Sequence, residues 1–147
     1  MEKKEQYRLL ERQLSALLEG ETDTVAKMAN MAAVLHEAFG FWWTGFYRVA
    51  GDELILGPFQ GPVACMHIPF GKGVCGTAWA REASVVVPDV EAFPGHIACS
   101  SASRSEIVVP VFGGDGKVTA VLDIDSDRLA TFDEVDRVGL ERIVGLL

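Results

Sequence analysis

The chain has 147 residues, of which 49% are hydrophobic and 23% charged, and it carries a net charge of −8 at neutral pH. That length predicts one domain with an ordinary core, and the acidic balance argues against a nucleic-acid partner, whose phosphates would be repelled. No apolar run approaches the roughly 20 residues that span a bilayer, and the opening Met1-Glu2-Lys3-Lys4-Glu5 lacks the apolar stretch of a signal peptide, so no membrane partner and a cytoplasmic location are expected.

The first forty residues read as two helices. Tyr7, Leu10, Leu14 and Leu17 recur at helical spacing up to Gly20. Thr22 or Asp23 can cap a second helix carrying Val25, Met28, Met31 or Ala32, Leu35 and Phe39, which Gly40 can close in the left-handed conformation. Beyond Gly40 the pattern turns to strands. Residues 43–49 and 53–56 read as a hairpin across Ala50-Gly51-Asp52, and residues 65–70 as a third strand. Residues 73–81 read as a short helix entered through glycines, and 84–87 as a short buried strand. The stretch 89–105 has no clear period, and an irregular loop of that length inside a compact domain is usually functional. Strands at 106–112 and 117–125 flank Gly113-Gly114-Asp115-Gly116. Thr131-Phe132-Asp133-Glu134 reads as a capping box opening a last helix. Helices at both ends and an antiparallel sheet between them predict an α+β sandwich.

Cysteines stand at 65, 75 and 99, an odd number that cannot be fully paired within the chain. Such a chain uses a disulfide transiently or binds something through sulfur. Cys99 is the best nucleophile candidate, because His96, Ser100, Ser101, Ser103 and Arg104 surround it and nearby positive charge favours a thiolate. The competing expectation is a small buried hydrophobe. Asp123 and Asp125 alternate with Leu122 and Ile124, so both carboxylates face one side of a strand. There they can take an ammonium group, hold a metal or share a proton, or simply face solvent. Glu106 opens an apolar strand and reads either as a site residue or as an exposed strand end. Trp42, Trp43, Phe46 and Tyr47 form an aromatic cluster: Phe46 reads as core, and the others can wall a small apolar group. Zinc is a rival use of Cys65, His67, Cys75, His96 and Cys99, but their spacing fits none of the usual paired-ligand patterns. The glycine-rich 71–76 segment lacks the Lys-Ser/Thr ending of a phosphate loop.

These segments together resemble one family, the free methionine-R-sulfoxide reductases, which are single GAF domains. The resemblance is carried by Trp43-Thr44-Gly45-Phe46-Tyr47, Ile68-Pro69-Phe70-Gly71-Lys72-Gly73-Val74-Cys75-Gly76, Phe93-Pro94-Gly95-His96-Ile97-Ala98-Cys99, Ser103-Arg104-Ser105-Glu106 and Val121-Leu122-Asp123-Ile124-Asp125-Ser126, and it covers about residues 24 to 147. It implies a GAF-type fold, with a central antiparallel sheet flanked by N- and C-terminal helices, as a single domain over residues 1–147. It also implies thiol-based reduction of free methionine-R-sulfoxide without a cofactor or metal. By the same resemblance Cys99 matches the catalytic cysteine, Cys65 the principal resolving cysteine, with a Cys65–Cys99 disulfide as the product, and Cys75 a third cysteine able to exchange. Glu106, Asp123 and Asp125 match the acids that hold the ammonium group and sulfoxide oxygen, and Trp43 and Tyr47 the aromatic residues beside the methyl group. Thioredoxin as reductant and a homodimer are implied on the same basis. The GAF fold alone hosts many ligands, so a ligand- or redox-sensing module without turnover is the alternative.

Overall fold

The computed structural model describes residues 1–97 and 102–147. Two helices, α1 (Lys3–Leu18) and α2 (Thr24–Phe39), precede strands β1 (Trp43–Ala50), β2 (Glu53–Gln60) and β3 (His67–Pro69). A third helix α3 (Gly73–Arg81), strand β4 (Val85–Val87) and a 3-10 turn (Val90–Ala92) follow, then β5 (Ser105–Phe112), β6 (Val118–Ser126) and helix α4 (Glu134–Val144). The strands form one six-stranded antiparallel sheet in the order β3-β2-β1-β6-β5-β4. This is the expected α+β architecture.

Strand alternation divides the sheet into two chemically distinct faces. Phe46, Ile107, Val109, Leu122 and Ile124 point to one face and pack with Leu14, Met31, Leu35, Leu140 and Ile143 from α1, α2 and α4. Tyr47, Val108 and Val121 point to the other and pack with Val74, Cys75 and Ala78 of α3. The first face is wholly apolar at its centre. The second carries the carboxylates.

Local signals set several boundaries. The Asp23 side chain accepts from the Ala26 amide, 3.0 Å away, at the start of α2, and Gly40 ends that helix at φ 66°. The third strand is shorter than expected: the Cys65 carbonyl accepts from the Tyr47 hydroxyl, and Met66 keeps a single bond to β2, from the Leu56 amide at 2.9 Å. The second strand runs past Leu56 to Gln60 despite Gly57-Pro58. Gly45 pairs with Phe59 and Tyr47 with Leu56, so Gly57 and Pro58 together oppose Phe46 in a bulge that tolerates proline. The cap of α4 is also corrected: Asp133, not Thr131, is the N-cap, and its box partner is Asp136. The Thr131 hydroxyl is engaged instead with Ser126 Oγ at 2.6 Å. In α1 the buried stripe closes on Leu18, while Leu17 is exposed. Val25, at the start of α2, is exposed as well.

Candidate active site

Glu106 lies opposite Asp125 across the β5–β6 ladder, and Asp125 lies opposite Trp43 across β6–β1. Asp123, two residues before Asp125, pairs with Val108 on one side and Gly45 on the other. The ladder therefore brings Glu106, Asp123, Asp125, Trp43 and Tyr47 onto one face of three adjoining strands. The first turn of α3 lowers Cys75 onto the same face. Together these residues line a cavity of about 50 Å³, with Trp42, His96 and Ser103 also at its walls. About 10–15 Å³ on this measure suffices for one water, so the cavity admits a small polar group.

Burial of the acids is deep: Glu106 and Asp123 are each 6% exposed, while Asp125 is half-buried. No lysine or arginine is among the described residues that line the cavity. Unpaired carboxylates in such a place are costly, and protons are retained to relieve the cost. Burial pushes the Glu106 carboxyl well above its usual range, and the Asp123 and Asp125 charges push it further. Burial, with the Asp123 charge, also raises Asp125 well above its usual range. Asp123 is raised by burial, but hydrogen bonds from Glu106, Cys75 and Asp125 oppose the shift. Asp123 is therefore the central hydrogen-bond acceptor of the trio, toward which Glu106, Cys75 and Asp125 donate. Asp123 Oδ1 is buried and has no hydrogen-bond partner among the described residues.

The aromatic residues have two jobs. Trp43 stacks between Tyr47 and Phe59, with ring centroids 6.0 and 5.2 Å apart. The indole fits because two neighbours lack side chains. A Cβ on Gly45 would fall 2.6 Å from Trp43 Cη2, and one on Gly61, at φ 131°, would fall 2.7 Å from Trp43 Cδ1. The polar tips of both rings then reach one segment. Trp43 Nε1 donates to the Pro62 carbonyl at 2.9 Å, and the Tyr47 hydroxyl donates to the Cys65 carbonyl at 2.9 Å. Burial and the Asp123 charge push the Tyr47 phenol far up, so it is a constant donor. These bonds were not legible in the sequence, because they join residues 18 and 19 positions apart.

The three sulfurs differ. Cys65 is half-buried in the tethered segment and is disulfide-bonded. Cys75 is free and buried, and burial, with the Asp123 and Glu106 charges, pushes its thiol well up, so it stays protonated. Cys99 lies outside the described residues. His96, noted in the sequence only as a neighbour of Cys99, stands at the cavity wall with Nε2 3.9 Å from Glu106 Oε1. Burial lowers its pKa, which keeps the imidazole neutral. Ser103 reaches the cavity from the same loop, a contact that no periodicity in residues 89–105 could have announced. His67, a member of the rival zinc set, points away from the cavity and pairs with Glu53 at 3.0 Å on the exposed β2–β3 edge.

A family model described as GAF domain matches residues 19–147. The chain is 54% identical over 146 residues to GAF domain-containing protein A of Dictyostelium discoideum, covering 99% of this chain and 92% of that protein. It is 47% identical over 148 residues to the free methionine-R-sulfoxide reductase of Escherichia coli (strain K12), covering 100% of this chain and 89% of that one. Among solved structures, the free methionine-R-sulfoxide reductase of Neisseria meningitidis in complex with its substrate superposes with a TM-score of 0.96 at 55% identity, covering 99% of this chain and 88% of that one.

Proposed function

We propose that this chain, which belongs to the GAF-domain family of free methionine-R-sulfoxide reductases, reduces free L-methionine-(R)-S-oxide to L-methionine by thiol chemistry. The observation that carries the reading is the buried acid trio beside an aromatic wall, under a segment that holds a disulfide-bonded cysteine. An ammonium group supplies the cation that the trio lacks, and the rings of Trp43 and Tyr47 suit a methyl group. A peptide-bound methionine has no α-ammonium, so it would leave Asp123 buried and unpaired, and such a site discriminates strongly.

The Cys99 thiolate attacks the sulfoxide sulfur while a carboxyl of the trio protonates the departing oxygen, a poor leaving group otherwise. The water so released attacks the Cys99 sulfur and breaks its bond to the substrate sulfur, so Cys99 becomes a sulfenic acid and methionine leaves reduced. The Cys65 thiol then displaces water to give the Cys65–Cys99 disulfide. An external dithiol reduces that bond by exchange and is itself oxidised. The disulfide at Cys65 and the free, protonated Cys75 support this pairing. Cys75 joins the exchange only on losing its proton. The electrons come from thiols, so no cofactor is needed. Thioredoxin as that dithiol, a cytoplasmic location, a single domain over residues 1–147 and a homodimer are parts of the same proposal. Exposed Leu9 and Leu17 on α1 and Val138 on α4 support pairing through the terminal helices.

The test is a diastereomer-resolved assay with free methionine-R,S-sulfoxide, its N-acetyl form, thioredoxin, thioredoxin reductase and NADPH. Loss of the R epimer alone, absent in Cys99→Ser and at least 100-fold slower with the N-acetyl form, is the expected result. No turnover of either epimer by folded, reduced protein would favour a redox-sensing module instead.

A further inference from the structure

We propose that Cys75, Glu106 and Asp123 form a binding site for a thiophilic divalent cation, zinc(II) being the ion this donor set fits best. The three residues are buried, and one sulfur and two carboxylate oxygens all lie within 4.8 Å of one another. A second observation points the same way. Asp123 Oδ1 is an acceptor buried without a hydrogen-bond partner among the described residues, which is the state a cation relieves.

The geometry suits a tetrahedral ion. Zinc bonds of about 2.3 Å to sulfur and 2.0–2.2 Å to oxygen place neighbouring donors roughly 3.5 Å apart. The donors lie within 4.8 Å of one another, so even the widest pair needs to close by no more than about 1.3 Å. The fourth position opens on the cavity of about 50 Å³, where a water can complete the sphere. Carboxylates alone would favour magnesium or calcium, and the thiolate shifts the preference to zinc. The set differs from the sulfur and histidine ligands weighed from the sequence, since Cys65 is disulfide-bonded and His67 lies outside the cavity.

The surroundings add to the attraction. The titratable groups that face the site are Tyr47 from β1, Cys75 from α3, His96 from the loop before β5, Glu106 from β5, and Asp123 and Asp125 from β6. None of the described ones is a standing cation. Binding expels the Cys75 thiol proton and the protons held by the carboxyls, with no change of oxidation state, so affinity rises with pH. The site does not depend on the reductase reading. Where that reading holds, zinc and the substrate ammonium compete for Glu106 and Asp123.

The chain with its disulfide intact has Cys75 as the free thiol among the described residues. It is titrated with cobalt(II) as a spectroscopic probe and then with zinc(II). One equivalent of cobalt should give a near-ultraviolet thiolate charge-transfer band that zinc bleaches. Cys75→Ser should lose the band and bind zinc at least tenfold more weakly by calorimetry. Asp123→Asn should weaken zinc by a similar factor while keeping a thiolate band at higher cobalt. Absence of the band in the unsubstituted chain, or unchanged zinc affinity in the variants, would overturn the proposal. Metal-free melting curves report whether each variant folds, and Asp123→Asn decides if Cys75→Ser does not.

Discussion

The molecule buries acid in two places and treats it in opposite ways. Asp136, at the start of α4, is 2% exposed. It accepts from the Tyr7 hydroxyl at 2.6 Å, the Lys3 ammonium at 2.8 Å and the Asp133 amide at 2.9 Å. Every demand of that carboxylate is met within the fold, and it ties α1 to α4. Glu106, Asp123 and Asp125 have no such cation among the described residues and meet their demands by keeping protons and sharing hydrogen bonds. The first cluster is finished when the chain folds, whereas the second awaits the ammonium group of the proposed substrate. Burial alone therefore does not separate a structural acid from a working one. The separating feature is whether the fold itself supplies the positive partner.

Substitutions at the two centres should dissociate activity from stability. Asp123→Asn keeps the shape and removes the charge, so kcat/KM for free methionine-R-sulfoxide should fall by about 10²–10³-fold, with the melting temperature unchanged or higher. A destabilised protein with normal kcat/KM would erase the distinction. Asp136→Ala should do the reverse, costing about 3 kcal/mol in urea unfolding while kcat/KM stays within about twofold. It strands a phenol and an amide without touching the cavity.

The centres should also titrate in opposite senses. Glu106 and Asp125 are raised above their ordinary values of 4.5 and 3.8, chiefly by burial. Above those values the folded chain binds more protons than the unfolded one, so the stability they contribute is complete in acid and declines as pH rises. Asp133, beside Asp136, is lowered below 3.8: burial opposes the shift, but the Asp136 amide and the Lys3 ammonium outweigh it. Its contribution is present above 3.8 and lost as pH falls through the lowered value. Thermal melts between about pH 5 and 8 should show the unsubstituted chain losing stability relative to Glu106→Gln, and parallel curves would contradict this.

The smallest expected effect concerns the tether. Tyr47→Phe removes one hydrogen bond to the Cys65 carbonyl and should cost about 1 kcal/mol of stability. It should slow disulfide formation after the first turnover, read by thiol trapping and mass spectrometry, more than it slows release of the first methionine. Equal slowing of both steps would assign Tyr47 to the substrate alone.

Sequence signals of short range carried most of the fold. The Gly40 cap, the turn at 50–52 and the bounds of α3 rest on neighbours within a few residues, and each is found where expected. The Asp123–Asp125 alternation placed both acids on one face, and the ladder then set Glu106 beside them. The misreadings have a common cause in longer-range partners. Pro58 is accepted in a strand because its own strand bulges opposite Phe46, Thr131 gives up its cap because Ser126 binds it, and the Cys65 carbonyl turns from the sheet to the Tyr47 hydroxyl. Trp43 and Tyr47 read in the sequence as contacts for a small apolar group, whereas their role as anchors for residues 62–65 rests on partners 19 and 18 positions away.

That second role limits how the pocket can change. The rings that would fit the substrate's methyl group are the same rings whose polar ends hold the strip of chain bearing Cys65. Trimming Trp43 to admit a bulkier thioether would release one of two moorings on the segment of Cys65, the proposed recycling thiol, and filling the gap at Gly45 or Gly61 would evict the indole altogether. Under the proposed reaction, substrate range and recycling are therefore one adjustable trait. A laboratory selection for a wider pocket should recover compensating changes in residues 62–66 before it recovers speed.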